Sequence, residues 1–190
     1  MRMAKSAIKF VIFDMGGVVF RWDERWAIDV FARKHKASKR KVEKYFFRWL
    51  NDSWAGRISE IEFLAKVIRA SGISASAKDF QKVWKDVFAR RTRMDKGVFS
   101  IIKALHKNGY KLAIISNTSG KYRAQTYARR LRRYMKVFVM SCDVKMIKPD
   151  RHIFSYTLRK LQAKPDECVF TDDNMKNVTG ARKAGIRAIR

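Results

Sequence analysis

The sequence of 190 residues predicts an α/β fold, a Rossmann-like parallel sheet core with a small inserted all-α cap domain. Three observations support this prediction. An apolar run within residues 8–20 ends on Asp14 and is short enough to form one buried strand. Residues 22–94 show helical spacing and contain no proline, and strand-like and helix-like segments alternate from residue 95 onward. We therefore assign residues 1–20 and 96–190 to the core and residues 21–95 to a helical cap.

The first predicted strand carries the first candidate site residue. Asp14 ends the apolar run, and Gly16 and Gly17 follow, so we expect a tight turn directly after the strand. This turn places a carboxylate at the carboxyl end of a central strand, the edge at which open α/β sheets bind ligands. On this stretch alone, an aspartate that begins an ordinary β-turn is an equally good interpretation.

The segment after this strand predicts a small bundle of helices. Ser38, Ser59 and Ser76 each stand where a helix cap is expected, and Glu62 completes a capping box with Ser59. Apolar residues, many of them aromatic, follow each cap at helical spacing. We interpret these aromatic stripes as helix–helix packing surfaces rather than as a cofactor site.

From residue 95 onward the sequence predicts helices and strands in alternation. The helices are expected at residues 98–107, 120–134, 150–161 and 175–184, and the strands at residues 111–116, 137–140, 168–171 and 186–189. The second of these helices is strongly basic and contains Arg129, Arg130, Arg132 and Arg133. Such alternation implies a parallel sheet with helices on both faces.

Polar side chains follow the other predicted strands. Ser116 and Asn117 end one strand, Lys148 lies downstream of the next, and Asp172 and Asp173 follow a third. Each also has a simpler interpretation: Ser116 and Asn117 could cap a helix, Lys148 could be a surface lysine, and the two aspartates could form a turn. Because parallel strands end along one edge of a sheet, we expect them to surround one crevice with Asp14. Carboxylates, amide and hydroxyl donors and one lysine suit a phosphoryl group with a divalent metal.

The charge of the chain is strongly basic. It has 44 lysines and arginines against 17 acidic residues, a formal net charge of +27 at pH 7. The basic residues are spread along the chain and would attract polyanions in a salt-dependent way. We find no stacking platform and no base-reading motif, so any nucleic-acid binding is expected to be non-specific. A solvated basic surface with no such partner is the alternative that we favour.

The sequence predicts a cytoplasmic protein with no membrane span. Its two cysteines, Cys142 and Cys168, suggest no disulfide framework and fit a reducing compartment. The N-terminal residues imitate a signal peptide weakly, but Lys9 interrupts an apolar run that is already too short to cross a bilayer.

Four segments of the chain together resemble the motifs of the haloacid dehalogenase superfamily, in the form with a helical cap inserted after the first motif. Residues 13–18 resemble the first motif, residues 115–118 the second and residues 148–150 the third. Residues 170–174, with Asn177 and Gly185, resemble the fourth. Residues 56–59 also resemble the cap of sugar-phosphatase-like members.

The resemblance implies a role for each matching residue. Asp14 would be a nucleophile that forms an aspartyl-phosphate, and its other oxygen, the backbone carbonyl of Gly16 and Asp173 would bind Mg²⁺. Asp172 would support that site. The groups that bind the phosphate would be Ser116 and Lys148, with Asn117 beside them.

One position departs from the family pattern. The usual first motif has a second aspartate, a general acid and base, where this chain has Gly16. Such a group typically contributes roughly 10²–10⁴-fold to the rate. Asp23, just beyond the turn, is our first candidate for a substitute.

The expected function is therefore a Mg²⁺-dependent phosphatase that hydrolyses a small phosphorylated metabolite resembling a sugar phosphate. Dehalogenase members also lack the second aspartate but need no metal, so the pair Asp172 and Asp173 favours a phosphatase. Two alternatives stay open: a metal-independent 2-haloacid dehalogenase, and a catalytically weak, basic protein that binds nucleic acid or another polyanion.

Overall fold

Five parallel strands form the central sheet of the computed structural model, which describes residues 7–119, 129 and 131–190. The strands are β1 (Phe10–Phe13), β4 (Lys111–Ser116), β5 (Met135–Met140), β6 (Cys168–Thr171) and β7 (Arg187–Ile189). Their order across the sheet is β5, β4, β1, β6 and β7. Phe13, the last residue of β1, pairs with Ile114 on one side and with Thr171 on the other. The predicted α/β fold is confirmed, and β1 lies at the centre of the sheet.

Helices cover both faces of this sheet. Phe10 and Ile12 point to the face covered by α7 (Arg151–Leu161) and α8 (Met175–Lys183). Val11 and Phe13 point to the opposite face, where α5 (Lys96–Lys107) packs through Ile102. Since successive strand residues alternate between faces, an apolar run with no polar position is what a strand buried on both sides requires.

The inserted segment forms four helices with a core of their own. They are α1 (Glu24–Lys34), α2 (Lys39–Trp54), α3 (Glu60–Ser71) and α4 (Ala77–Arg91). Ser59 and Glu62 form the predicted capping box, and Ser38 and Ser76 cap their helices. Buried aromatic rings fill the space between the helices, with Phe31 stacked on Phe80 at a centroid distance of 3.9 Å. The aromatic stripes therefore serve packing, as predicted.

A two-stranded ribbon stands where the insert joins the sheet domain. Antiparallel strands β2 (Phe20–Arg21) and β3 (Arg93–Met94) pair Phe20 with Met94. The helical pattern assigned to residues 22–94 is wrong at its end, because Arg93–Met94 is a strand. Two residues are too few to show strand periodicity, so this pairing left no signal in the sequence.

Other differences from the predicted elements are small. Helix α5 begins two residues earlier than predicted because Asp95 caps it, and β5 also begins earlier. One unpredicted helical turn, α6 (Ser141–Val144), directly follows β5. The basic helix predicted at residues 120–134 lies mostly outside the described residues, and residues 132–134 form a turn. No helix within the described ranges is long and apolar enough to cross a membrane.

Candidate active site

The carboxyl ends of β1, β4 and β6 meet around the ammonium group of Lys148. Its Nζ lies 2.5 Å from Asp14 Oδ1, 2.6 Å from Asp172 Oδ2 and 3.0 Å from the carbonyl oxygen of Ile115. The Lys148 side chain is 1% exposed, and Asp14 and Asp172 are buried as well. The structure therefore brings together three candidate residues that are separated by up to 158 positions in the sequence.

Asn117 holds the backbone of the lysine in place. Its Oδ1 accepts a hydrogen bond from Lys148 N at 2.8 Å, and its Nδ2 donates to Lys148 O at 2.9 Å. The sequence placed Asn117 beside the phosphate, but both ends of its amide are used by the loop that carries Lys148. Ser116 is buried at the end of β4 and lines the cleft into which Asp14 and Lys148 also face.

Asp172 is surrounded by donors. Asn177 Nδ2 lies 3.0 Å from both carboxylate oxygens, and Asn174 N donates to Oδ1 at 2.9 Å. With Lys148 on Oδ2, this buried carboxylate has hydrogen-bond donors on both oxygens. Such an arrangement fixes the position of Lys148, which is consistent with a supporting role for Asp172.

Asp173 lies against the turn that follows Asp14. Gly17 has φ +89°, and a Cβ there would lie 2.4 Å from Asp173 Oδ2. Only glycine tolerates both this backbone angle and this approach. Asp14, Asp172 and Asp173 each offer an oxygen within 4.8 Å of the others. Clustered carboxylate oxygens suit a hard cation such as Mg²⁺.

The electrostatics of the cluster show an excess of negative charge. Burial raises the pKa of Asp14 to about 6, the ion pair with Lys148 opposes this shift, and the charge of Asp172 adds to it. Burial and the neighbouring Asp172 also raise the pKa of Asp173. Three carboxylates share one lysine, so a divalent cation would relieve their mutual repulsion.

Two contacts that sequence reasoning missed fix the loops around the site. Ser141 Oγ accepts from Thr118 N at 2.9 Å and ties the loop after β4 to α6. A Cβ at Gly180 would lie 2.5 Å from the carbonyl oxygen of Pro149, so α8 packs directly on the loop that carries Lys148. Ser141 follows a strand end and could have been suspected on that ground, whereas Gly180 has no signal in the sequence.

We expect Gly180→Ala to lower the free energy of unfolding. The added carbon would meet backbone atoms of Pro149, and overpacking of this kind typically costs about 1–3 kcal/mol. Alanine favours a helix interior over glycine by about 1 kcal/mol, so helix propensity alone predicts the opposite sign. Denaturant unfolding measures the change. Gly16→Ala is the control, because its Cβ would meet no atom within 4 Å in the part of the chain that the structure describes, and equal stability of the two variants would contradict this account.

The candidate catalytic cleft around these residues has a volume of about 540 Å³ and lies between the sheet edge and the inserted helices. Its walls include residues of the insert that sequence analysis did not identify, namely Trp22, Glu24, Arg25, Asn51, Trp54 and Phe88. Residues 56–59 are not among its lining residues. Instead Gly56 packs on the α6 backbone, where an added Cβ would lie 2.8 Å from the carbonyl oxygen of Cys142.

Comparison with known proteins gives a matching family model and several relatives. Residues 8–185 match the family model of haloacid dehalogenase-like hydrolases. The chain is 28% identical over 186 residues to a phosphorylated carbohydrates phosphatase of Thermotoga maritima, covering 94% of this chain and 82% of that protein. It is 23% identical to a D-ribitol-5-phosphate phosphatase of Bacteroides thetaiotaomicron, covering 96% and 91% of the two chains. Other relatives are longer, and the chain covers only 24% of rat bifunctional epoxide hydrolase 2.

Solved structures give the same fold. A HAD family enzyme from Bacteroides thetaiotaomicron, in complex with magnesium and inorganic phosphate, has a TM-score of 0.76 at 21% identity. The match covers 96% of this chain and 93% of that one. At this level of identity the likeness shows the fold alone.

Proposed function

Because the chain belongs to the haloacid dehalogenase-like hydrolase family, we propose that it is a Mg²⁺-dependent phosphatase acting on a small phosphorylated metabolite. One observation carries the proposal: Asp14, Asp172 and Asp173 place oxygens within 4.8 Å of one another. A dehalogenase that needs no metal would have no use for Asp173 in this position. A phosphatase would use it to hold a cation.

Asp14 is the proposed nucleophile. One carboxylate oxygen bonds to phosphorus while the bond from phosphorus to the leaving oxygen breaks, and a proton reaches that oxygen to release the alcohol. Water then attacks the aspartyl-phosphate, frees inorganic phosphate and restores Asp14. Before the reaction, the ion pair with Lys148 holds the attacking carboxylate at the end of β1.

The remaining site residues have proposed supporting roles. Mg²⁺ would be held by Asp14, Asp173 and the carbonyl of Gly16, and when bound would supply positive charge beside the phosphoryl oxygens. Phosphate oxygens would bind Ser116 and Lys148. Through its bonds to the lysine backbone, Asn117 is a positioning residue. Asp172 orients the lysine side chain, to which it is bonded at 2.6 Å.

The insert supports a small substrate. We propose residues 21–95 as a cap domain, since its helices have a separate aromatic core and the β2–β3 ribbon marks the junction. Trp54 and Asn51 from this segment face the catalytic residues across a cleft of about 540 Å³, which suits a molecule of the size of a sugar phosphate. The two phosphatase relatives are named for substrates of this class.

We also propose a cytoplasmic location for the protein. This location fits the two cysteines of the chain, Cys142 and Cys168, which form no disulfide.

Metal dependence tests the proposal. We expect hydrolysis of an aryl phosphate and of a panel of sugar phosphates to need Mg²⁺, with at least about a tenfold loss of rate in chelator. Asp173→Asn should raise the Mg²⁺ concentration for half-maximal rate. Asp166→Asn, an exposed carboxylate outside the cleft, is the control. Chloride release from a 2-chloro acid that is unaffected by chelator would instead establish the dehalogenase alternative.

A further inference from the structure

A second, larger cleft lies on the protein surface. It has a volume of about 940 Å³ and is lined by Arg93, Met94, Lys96, Phe99, Arg129, Arg132 and Arg133. Among the described residues, none lines both this cleft and the catalytic cleft. Strand β3, the first turns of α5 and the chain segment before β5 build it, so its walls come from three parts of the sequence.

The cleft concentrates positive charge that the described residues do not neutralise. Of the seven lining residues that the structure describes, five are lysine or arginine, all five are exposed, and none is a carboxylate. The nearest acidic residue in sequence, Asp95, already caps α5 and pairs with Arg21 at 3.2 Å. Unpaired cations held close together repel one another, and a polyanion would relieve that repulsion.

An aromatic ring lies among these cations. Phe99 is partly exposed in the cleft and packs edge-to-face on Tyr134 at a centroid distance of 5.6 Å. The Nζ of Lys103 lies 5.3 Å from the centre of the same ring. An aromatic ring in a cleft that is lined by cations can bind a base by stacking while the charges hold phosphates.

We infer that this cleft binds a single-stranded nucleic acid, with the lysine and arginine side chains on the phosphodiester backbone and Phe99 against a base. Five cations exceed what one phosphate group needs, whereas a chain of phosphates contacts several in succession. The concave shape suits an extended strand better than it suits a flat membrane surface. The net charge of +27 would bring such a polyanion to the protein from solution.

Fluorescence anisotropy with a labelled oligo-dT of about 12 nucleotides, measured over a series of salt concentrations, tests the inference. In Lys96→Gln/Arg132→Gln the slope of log K against log salt should become shallower by about 1.4, since each phosphate contact on a single strand contributes roughly 0.7. The control is Arg40→Gln/Lys41→Gln, which removes the same charge from exposed positions in the first turn of α2. It should keep the wild-type slope, and circular dichroism should show both variants folded.

Several results would overturn the inference. Equal changes in the two double variants would indicate a diffuse field rather than a site. Displacement of the oligonucleotide by Mg²⁺ with inorganic phosphate, beyond the displacement that MgCl₂ alone causes at equal ionic strength, would place it in the catalytic cleft. Vesicles that contain an acidic phospholipid are the last comparison. If they compete with oligo-dT and their binding depends equally on Lys96 and Arg132, the ligand of the cleft is a membrane surface and not a nucleic acid.

Discussion

Asp14→Asn should reduce phosphatase turnover by about 10⁴-fold or more, because loss of a covalent nucleophile removes the route through the aspartyl-phosphate. The substitution keeps the shape of the side chain and its place beside Lys148, and removes the charged oxygen that attacks phosphorus. The matched control is Asp143→Asn, an exposed carboxylate on α6, which should keep wild-type turnover.

A chemical readout separates this effect from a folding defect. Acid quenching of the wild-type enzyme with a ³²P-labelled substrate should trap a protein-bound acyl phosphate that hydroxylamine removes, and Asp14→Asn should trap none. Turnover within tenfold of wild type, or label retained in the variant, would show that another residue is the nucleophile.

The same substitution should not destabilise the metal-free protein at neutral pH. Burial raises the pKa of Asp14 to about 6. At neutral pH the ionised carboxylate therefore lowers the free energy of unfolding, because it is less favourable in the folded protein than in the unfolded chain. An asparagine carries no such penalty, while Lys148 keeps its contacts with Asp172 and with the carbonyl oxygen of Ile115. Thermal unfolding in chelator measures this, and a clear loss of stability would mean that the Asp14–Lys148 pair is a net source of folding energy.

The sequence predicted the sheet and the residues that meet at its edge because both depend on local patterns. Apolar runs that end in polar residues mark strand ends, and parallel strands align those ends whatever lies between them. The contact of Lys148 with Asp14 and Asp172 is what this rule anticipates.

Features that arise from contacts between distant segments could not be predicted in this way. Asn117 and Lys148 are 31 positions apart, and their two hydrogen bonds form only once the fold has brought the two loops together. The same holds for Gly180 against Pro149 and for the wall that the insert contributes to the catalytic cleft. Charge composition predicted attraction to polyanions, but only the tertiary structure places Phe99 among the arginines.

Restoring a carboxylate at position 16 should raise the rate. Gly16 is exposed in the catalytic cleft, its φ lies outside the left-handed region, and an added Cβ would meet no atom of the described residues within 4 Å. The neighbouring Gly17 has φ +89°, and a Cβ there would collide with the Asp173 carboxylate. Gly17→Asp should therefore disrupt the turn. A side chain at position 16 therefore fits without strain, and Gly16→Asp supplies a group that can donate and accept protons beside Asp14.

The wild-type enzyme should be limited in two steps for lack of such a group: protonation of the leaving oxygen, and activation of the water that attacks the aspartyl-phosphate. Aryl phosphates have good leaving groups and need little help in the first step. The second step still suffers, so rapid-quench measurements on wild type with an aryl phosphate and saturating Mg²⁺ should show a burst of phenol release.

Gly16→Asp should abolish that burst and raise steady-state turnover, by at most the roughly 10²–10⁴-fold that general acid–base catalysis contributes. Gly16→Asn is the matched control, since it has the same shape and cannot transfer the proton. A folded Gly16→Asp enzyme with unchanged turnover, and a wild type with no burst, would mean that another group already transfers the proton. Asp23, the candidate from the sequence, is not among the described lining residues of the cleft, and its Oδ1 accepts from Arg25 N at 2.8 Å as the cap of α1. Glu24, which lines the cleft, would then be the carboxylate to replace.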